Sequence, residues 1–243
     1  MKIEYTFLFC LVVILGSSCN DAPEFPNTPK IEFESILFKD VGNGDADSLI
    51  INISFEDGDG DLGLDAQEIA SPFNQKNYFS NKTGRFFSFG TETIDDLLKF
   101  SNSSEIDSLP TYEGDAICLF WDTNPDIFFE DGTQLDDTVY FQFNQRHHNI
   151  LVDYFVDRGS GFEEFDWLLD LDCSTDFNGR FPILNLEDGE RALEGTIRYG
   201  MPSVGFRNIF GEDQIKLSIT ILDRGGNFSN TIETPPFRLS EID

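Results

Sequence analysis

Hydrophobic and polar residues alternate with a period of two along much of this chain, the spacing of strands with one face buried. Leu49, Ile51, Ile53 and Phe55 alternate with Ile50, Asn52, Ser54 and Glu56, and Ile31, Phe33 and Leu37 form a similar run just before them. Further strands are predicted where Val139, Phe141 and Phe143 alternate with Tyr140 and Gln142, and at Leu193, Ile197 and Tyr199. Ile150, Val152, Tyr154 and Val156 lead through Gly159-Ser160-Gly161 to Phe162 and Phe165, the pattern of a hairpin with a glycine-rich turn. The cleanest strand holds Ile215, Leu217, Ile219 and Ile221; it ends in the turn Asp223 to Asn227 and returns through Thr231 to Leu239. Helical periodicity is nearly absent, with one short helix expected near Asp95 to Phe100. The class is all-β.

The first residues follow a different rule. An unbroken apolar run from Phe7 to Leu15 spans about 13 Å as a helix, against a hydrocarbon core of about 30 Å. That is too short to cross a membrane and suits a secretory signal. Gly16, Ser17 and Ser18 precede Cys19, and the whole resembles the lipobox of bacterial lipoprotein precursors. The resemblance implies a signal peptide over residues 1–18, acylation of Cys19, and a chain anchored at the outer membrane or cell surface. Residues 19–29 carry three prolines and no periodicity, as an extended tether would, and leave residues 30–243 as the β-rich domain. Asp21 and Glu24 are similar to the acidic export signals of some surface lipoproteins.

Two stretches resemble bacterial Ig-like surface domains: Phe55-Glu56-Asp57-Gly58-Asp59-Gly60-Asp61 and Ile219 to Ser229. They imply an antiparallel Ig-like sandwich built from strands near residues 30–56 and 214–239. Such a sandwich needs about 100 residues, so the middle of this 243-residue chain must be a large β-rich insertion or a second β unit. The overall pattern is similar to uncharacterised outer-membrane lipoproteins of Gram-negative bacteria, which implies a location and a fold class and no activity.

Charge narrows the partners. Sixteen basic against 45 acidic residues give −29, which excludes nucleic acid and electrostatic docking on anionic lipid. Nine acids and no Lys or Arg lie between Asp40 and Gln75, and ten acids, again without a base, between Phe100 and Gln145. Four cysteines reduce to one candidate pair, since Cys10 leaves with the signal and Cys19 takes the lipid. Cys118 and Cys173 can form a disulfide in an oxidising compartment, or remain two buried thiols.

Candidate chemistry is sparse. His147 and His148 are the only histidines, and neighbours on a strand point to opposite faces, so a shared metal is not expected. No G-x-S-x-G elbow or phosphate-binding glycine loop occurs. Of 34 aromatics 26 are Phe, which belongs in cores; Trp121 and Trp167 remain as sugar platforms for a carbohydrate-handling accessory protein or glycoside hydrolase, the alternative to a non-enzymatic binding, adhesion or assembly module. One loop offers a cofactor. From Asp57 to Glu68, Asp57, Asp59, Asp61, Asp65 and Glu68 fall at positions 1, 3, 5, 9 and 12 of a calcium loop, with the Gly63 carbonyl at position 7. Leu62 replaces the glycine of an EF-hand, so the segment resembles the wider D-x-D-x-D loops. The expectation is a weak, structural Ca²⁺ site; the alternative is a solvated acidic turn.

Overall fold

The computed structural model describes residues 24–42, 45–90, 93–105, 109, 119–171, 173, 176–185 and 191–242. The expectations for the signal peptide, Cys19 and Cys118 lie outside the described residues. Cys173 is disulfide-bonded.

Eleven strands run in order among the described residues: β1 (Lys30–Lys39), β2 (Asp47–Asp57), β3 (Lys76–Ser80), β4 (Arg85–Ser88), β5 (Trp121–Asp122), β6 (Val139–Phe143), β7 (Ile150–Asp157), β8 (Phe162–Phe165), β9 (Leu193–Ser203), β10 (Gln214–Ile221) and β11 (Ile232–Glu233). They form three antiparallel sheets, ordered β1-β2-β9, β11-β10-β7-β8 and β4-β3-β6-β5.

The first two sheets make a sandwich, because their alternating apolar residues have only each other to cover them. Leu49, Ile51, Ile53 and Phe55 of β2 share one core with Ile150, Val152, Tyr154 and Val156 of β7 and with Ile215, Leu217, Ile219 and Ile221 of β10. Seven strands divide three and four, the count of a constant-type immunoglobulin sandwich. The Ig-like strands are not confined to the two ends of the chain: β7, β8 and β9 also join the sandwich, so the inserted part is the stretch between β2 and β7.

Two short helices close one part of the core, α1 (Trp167–Asp170) and α2 (Phe206–Phe210), neither visible as periodicity. The Asp166 carboxylate accepts the amides of Leu168 and Leu169 and so caps α1. This seats Trp167 edge-on against Tyr154 and Phe177, with ring centres 5.1 and 4.5 Å away, while Phe210 stacks on Tyr154 at 5.9 Å. Edge-to-face pairs add to the apolar area such rings bury.

The third sheet, β4-β3-β6-β5, is the second β unit. Its own core holds Tyr78, Leu97, Ile127, Leu135, Val139 and Phe141. The expected helix near Asp95 is two short 3₁₀ segments, Ile94–Asp96 and Phe100–Glu105. Trp121 is buried here against Phe100 and Tyr140, and Trp167 is buried in the sandwich. Neither tryptophan presents a face to solvent, which removes both as sugar platforms.

Candidate metal centre

β2 runs its inward alternation one residue past the apolar ones. Phe55 is followed on the same face by Asp57, which is fully buried. The chain then turns through Gly58 and Gly60, and each glycine is dictated by its surroundings. A Cβ on Gly58 would lie 2.2 Å from the Phe25 carbonyl oxygen, and the Gly58 amide donates to the Pro26 carbonyl at 2.9 Å. Gly60 has φ +68°, in the left-handed region that glycine enters without strain.

This turn brings the Asp57, Asp59 and Asp61 carboxylates together, with one oxygen of each within 4.8 Å of the others. Both oxygens of Asp57 and one each of Asp59 and Asp61 are sealed from water and have no hydrogen-bond partner. Each ionised pair at such a distance repels by about 3 kcal/mol at an effective dielectric constant near 20. Burial, then Asp59, Asp61 and Asp223, drive the Asp57 carboxyl up to about 7. Asp61 is raised by burial, Asp223 and Asp59, although its other oxygen accepts the Gly225 amide at 2.8 Å.

Asp223 is the acid that sequence reasoning missed. It follows β10, is buried, and takes the amides of Gly226 and Asn227 at 2.7 Å each. The Arg224 amide donates to the Asp61 carbonyl, which fixes this turn against the acidic one. The signal was present as the Asp-Arg-Gly-Gly-Asn turn, but nothing local says that a turn 160-odd residues away packs beside Asp61.

The Asp65 and Glu68 carboxylates do not join the cluster. Leu62, which stands where an EF-hand bends, is completely buried in the sandwich core and carries the chain away from the three acids. Asp65 accepts the Gln67 amide at 2.8 Å. Glu68 holds Arg224 with both oxygens, at 2.6 and 2.7 Å, and this pairing lowers its carboxyl to about 2. The Gly63 carbonyl also faces Arg224, at 3.4 Å. Arg180 completes the loop, donating to the carbonyls of Asp65, Glu68 and Phe73 at 2.9–3.0 Å. The segment after Asp61 is thus strapped by two arginines and leaves a three-carboxylate centre of oxygen donors. Such a set suits a hard divalent cation.

The histidines depart from the strand expectation. Gln145–His147 is a 3₁₀ turn, so His147 and His148 do not alternate, and their rings lie 4.8 Å apart. Burial and the neighbouring His147 lower His148 to about 4, so it is neutral at pH 7; burial also lowers His147. Among the described residues the three aspartates are the one group of three or more potential ligands gathered closely enough for a metal, and the histidines belong to none. Both histidines line a cleft of about 510 Å³ between the sandwich and the second unit. No helix among the described residues is long and apolar enough to cross a membrane. Comparison with protein-family models, with curated proteins and with solved structures finds no match to this chain.

Proposed function

We propose that this chain is a lipid-anchored, non-enzymatic module of the cell envelope, held by Cys19 at the outer membrane or cell surface, whose sandwich is stabilised by calcium for binding, adhesion or assembly. The observation that carries the calcium part is the orphaned state of four carboxylate oxygens on Asp57, Asp59 and Asp61, buried and turned toward one another. A buried charge without a partner is costly, and a divalent cation supplies the partner for all three at once. Calcium suits the place better than magnesium, because magnesium keeps several of its waters while these oxygens are shut away from solvent. The centre joins the end of β2, the tether at Pro26 and the Asp223 turn, so the ion acts as a structural tie.

Affinity in the 10⁻⁴ to 10⁻³ M range of extracellular modules is expected. Millimolar calcium then adds about 1–2 kcal/mol if the affinity lies near the tighter end, roughly 2–4 °C in melting temperature for each kcal/mol. The test is a melting curve of the mature chain in calcium and in chelator, repeated on Asp59→Ala. A rise in the unmutated chain that Asp59→Ala abolishes supports the reading; identical curves for the unmutated chain overturn it.

The anchor is supported by the lipobox-like run before Cys19 and is tested separately. Cys19→Ala is expected to move the protein from the membrane pellet to the soluble fraction. A variant that stays with the membrane removes the lipid from the proposal.

A further inference from the structure

The cleft beside the histidine pair is separate from the cation centre and has its own chemistry. Its walls come from two units: Phe143 and Gln145 from the end of β6 and the turn beyond it, Leu151 and Asp153 from β7, and Leu168 and Asp176 from the segment around α1. Junctions of this kind are common places for ligands, and about 510 Å³ lies within the range of about 300–1,000 Å³ typical of small-molecule sites.

We infer that this cleft binds a neutral saccharide. The donor and acceptor inventory decides the class. Asp153 and Asp176 are carboxylates that only accept; Asp153 already takes the Ser218 hydroxyl and Asp176 the Asn178 amide at 2.9 Å, so a ligand that uses their remaining lone pairs must offer hydrogen-bond donors. The Gln75 and Gln145 amides, which make no side-chain hydrogen bond to the described residues, both donate and accept, and the neutral His148 ring does the same. Hydroxyl groups satisfy all of these at once. Phe143, 41% exposed, supplies an apolar face for the C–H side of a sugar ring, and Leu151 and Leu168 add apolar surface to the same cleft. No lysine or arginine is among the described lining residues, Arg180 behind His147 is engaged with the carbonyls of Asp65, Glu68 and Phe73, and the chain carries −29, so an anionic ligand is disfavoured. An organic cation would match the carboxylates and the amide oxygens but leave the amide N–H groups without an acceptor. Trp121 and Trp167 take no part; the aromatic surface is a phenylalanine at the end of a strand of the second unit.

The test uses the full mature chain in calcium and a panel of neutral disaccharides: maltose, cellobiose, xylobiose, mannobiose and chitobiose. Binding is read by saturation-transfer NMR and then titration. At least one member is expected to bind, and Asp153→Asn and Phe143→Ala should each weaken it about tenfold, the equivalent of one good contact. Both substitutions sit on solvent-facing side chains, and an unchanged melting curve for each confirms that the fold is intact. If either variant unfolds, the other carries the comparison. No binding by any member overturns the inference, as does sugar binding that both folded variants retain. Spermidine binding that Asp153→Asn weakens, with no sugar bound, would assign the cleft to organic cations and overturn it equally.

Discussion

Asp57 and Glu68 are carboxylates of one loop whose acidities the fold drives in opposite directions, Asp57 up to about 7 and Glu68 down to about 2. The difference is the partner: Glu68 meets Arg224 through two short bonds, while for Asp57 burial and the neighbouring acids outweigh the nearby Asp61 amide. A carboxyl lowered in the folded state contributes stability above its unfolded pKa of about 4.3, and that stability is lost as pH falls toward the folded value. Glu68→Gln should therefore cost about 1–2 kcal/mol at pH 7. The gap between variant and unmutated chain should narrow below pH 4.5 and close near pH 2, as read from urea unfolding across that range. A gap independent of pH would mean that the glutamate matters for packing alone. The sequence shows Asp57, Asp59 and Asp61 because alternation along a tight turn is a local property. It could not show which of the six candidate ligands stay together, since that choice rests on buried Leu62 and on Arg180 and Arg224, which arrive from distant segments.

Strand β1 shows the same limit for a whole element. Its apolar pattern reads Ile31, Phe33, Leu37, a single face in strict alternation, yet the inward residue near the end is Phe38, fully buried, while Leu37 is half-buried. The ladder explains it: Phe33 pairs with Ile53 but Ser35 pairs with Asn52, so Glu34 is an extra residue and a β-bulge shifts the faces. Ile36 and Phe38 then stand opposite Ile51 and Leu49, on the inner side with Ile31. The strong, regular strands β2, β7 and β10 needed no such correction, because their inward positions from Leu49 to Phe55, Ile150 to Val156 and Ile215 to Ile221 are all apolar and a one-residue slip would expose the whole set. The turn after β2 belongs to this scale too. Gly58→Ala places a methyl against the Phe25 carbonyl and must push residues 24–29 away from the acidic turn. The expected result is faster amide hydrogen exchange at residue 58, a loss of about 1–3 kcal/mol, and a calcium-dependent melting shift that persists. Unchanged exchange there would show that the tether does not lean on the turn.

For the molecule as a whole, alternation made the all-β class legible and length made the second β unit legible, because a seven-stranded sandwich leaves many residues unaccounted for. The division of strands was less legible: β9 pairs with β2 across a separation of well over a hundred residues, and no local pattern encodes which sheet it enters. β1 lies at the edge of its sheet, with β2 as its one strand partner, and its first pair is Lys30 with Glu56. The Asn230 side chain grips both the amide and the carbonyl of Ile31, at 2.8 and 2.9 Å, and the Pro26–Gly58 bond lies just before that rung. If the molecule is held through Cys19, as proposed, a pull from flowing fluid or a moving partner enters along residues 24–29, meets the Pro26–Gly58 bond and then loads this rung. An edge strand loaded at its end peels one bond at a time, which resists force poorly. Calcium between Asp57, Asp59 and Asp61 would then work as a rivet at the point where peeling starts, and the mechanical strength of the attachment would follow the calcium concentration of the surroundings.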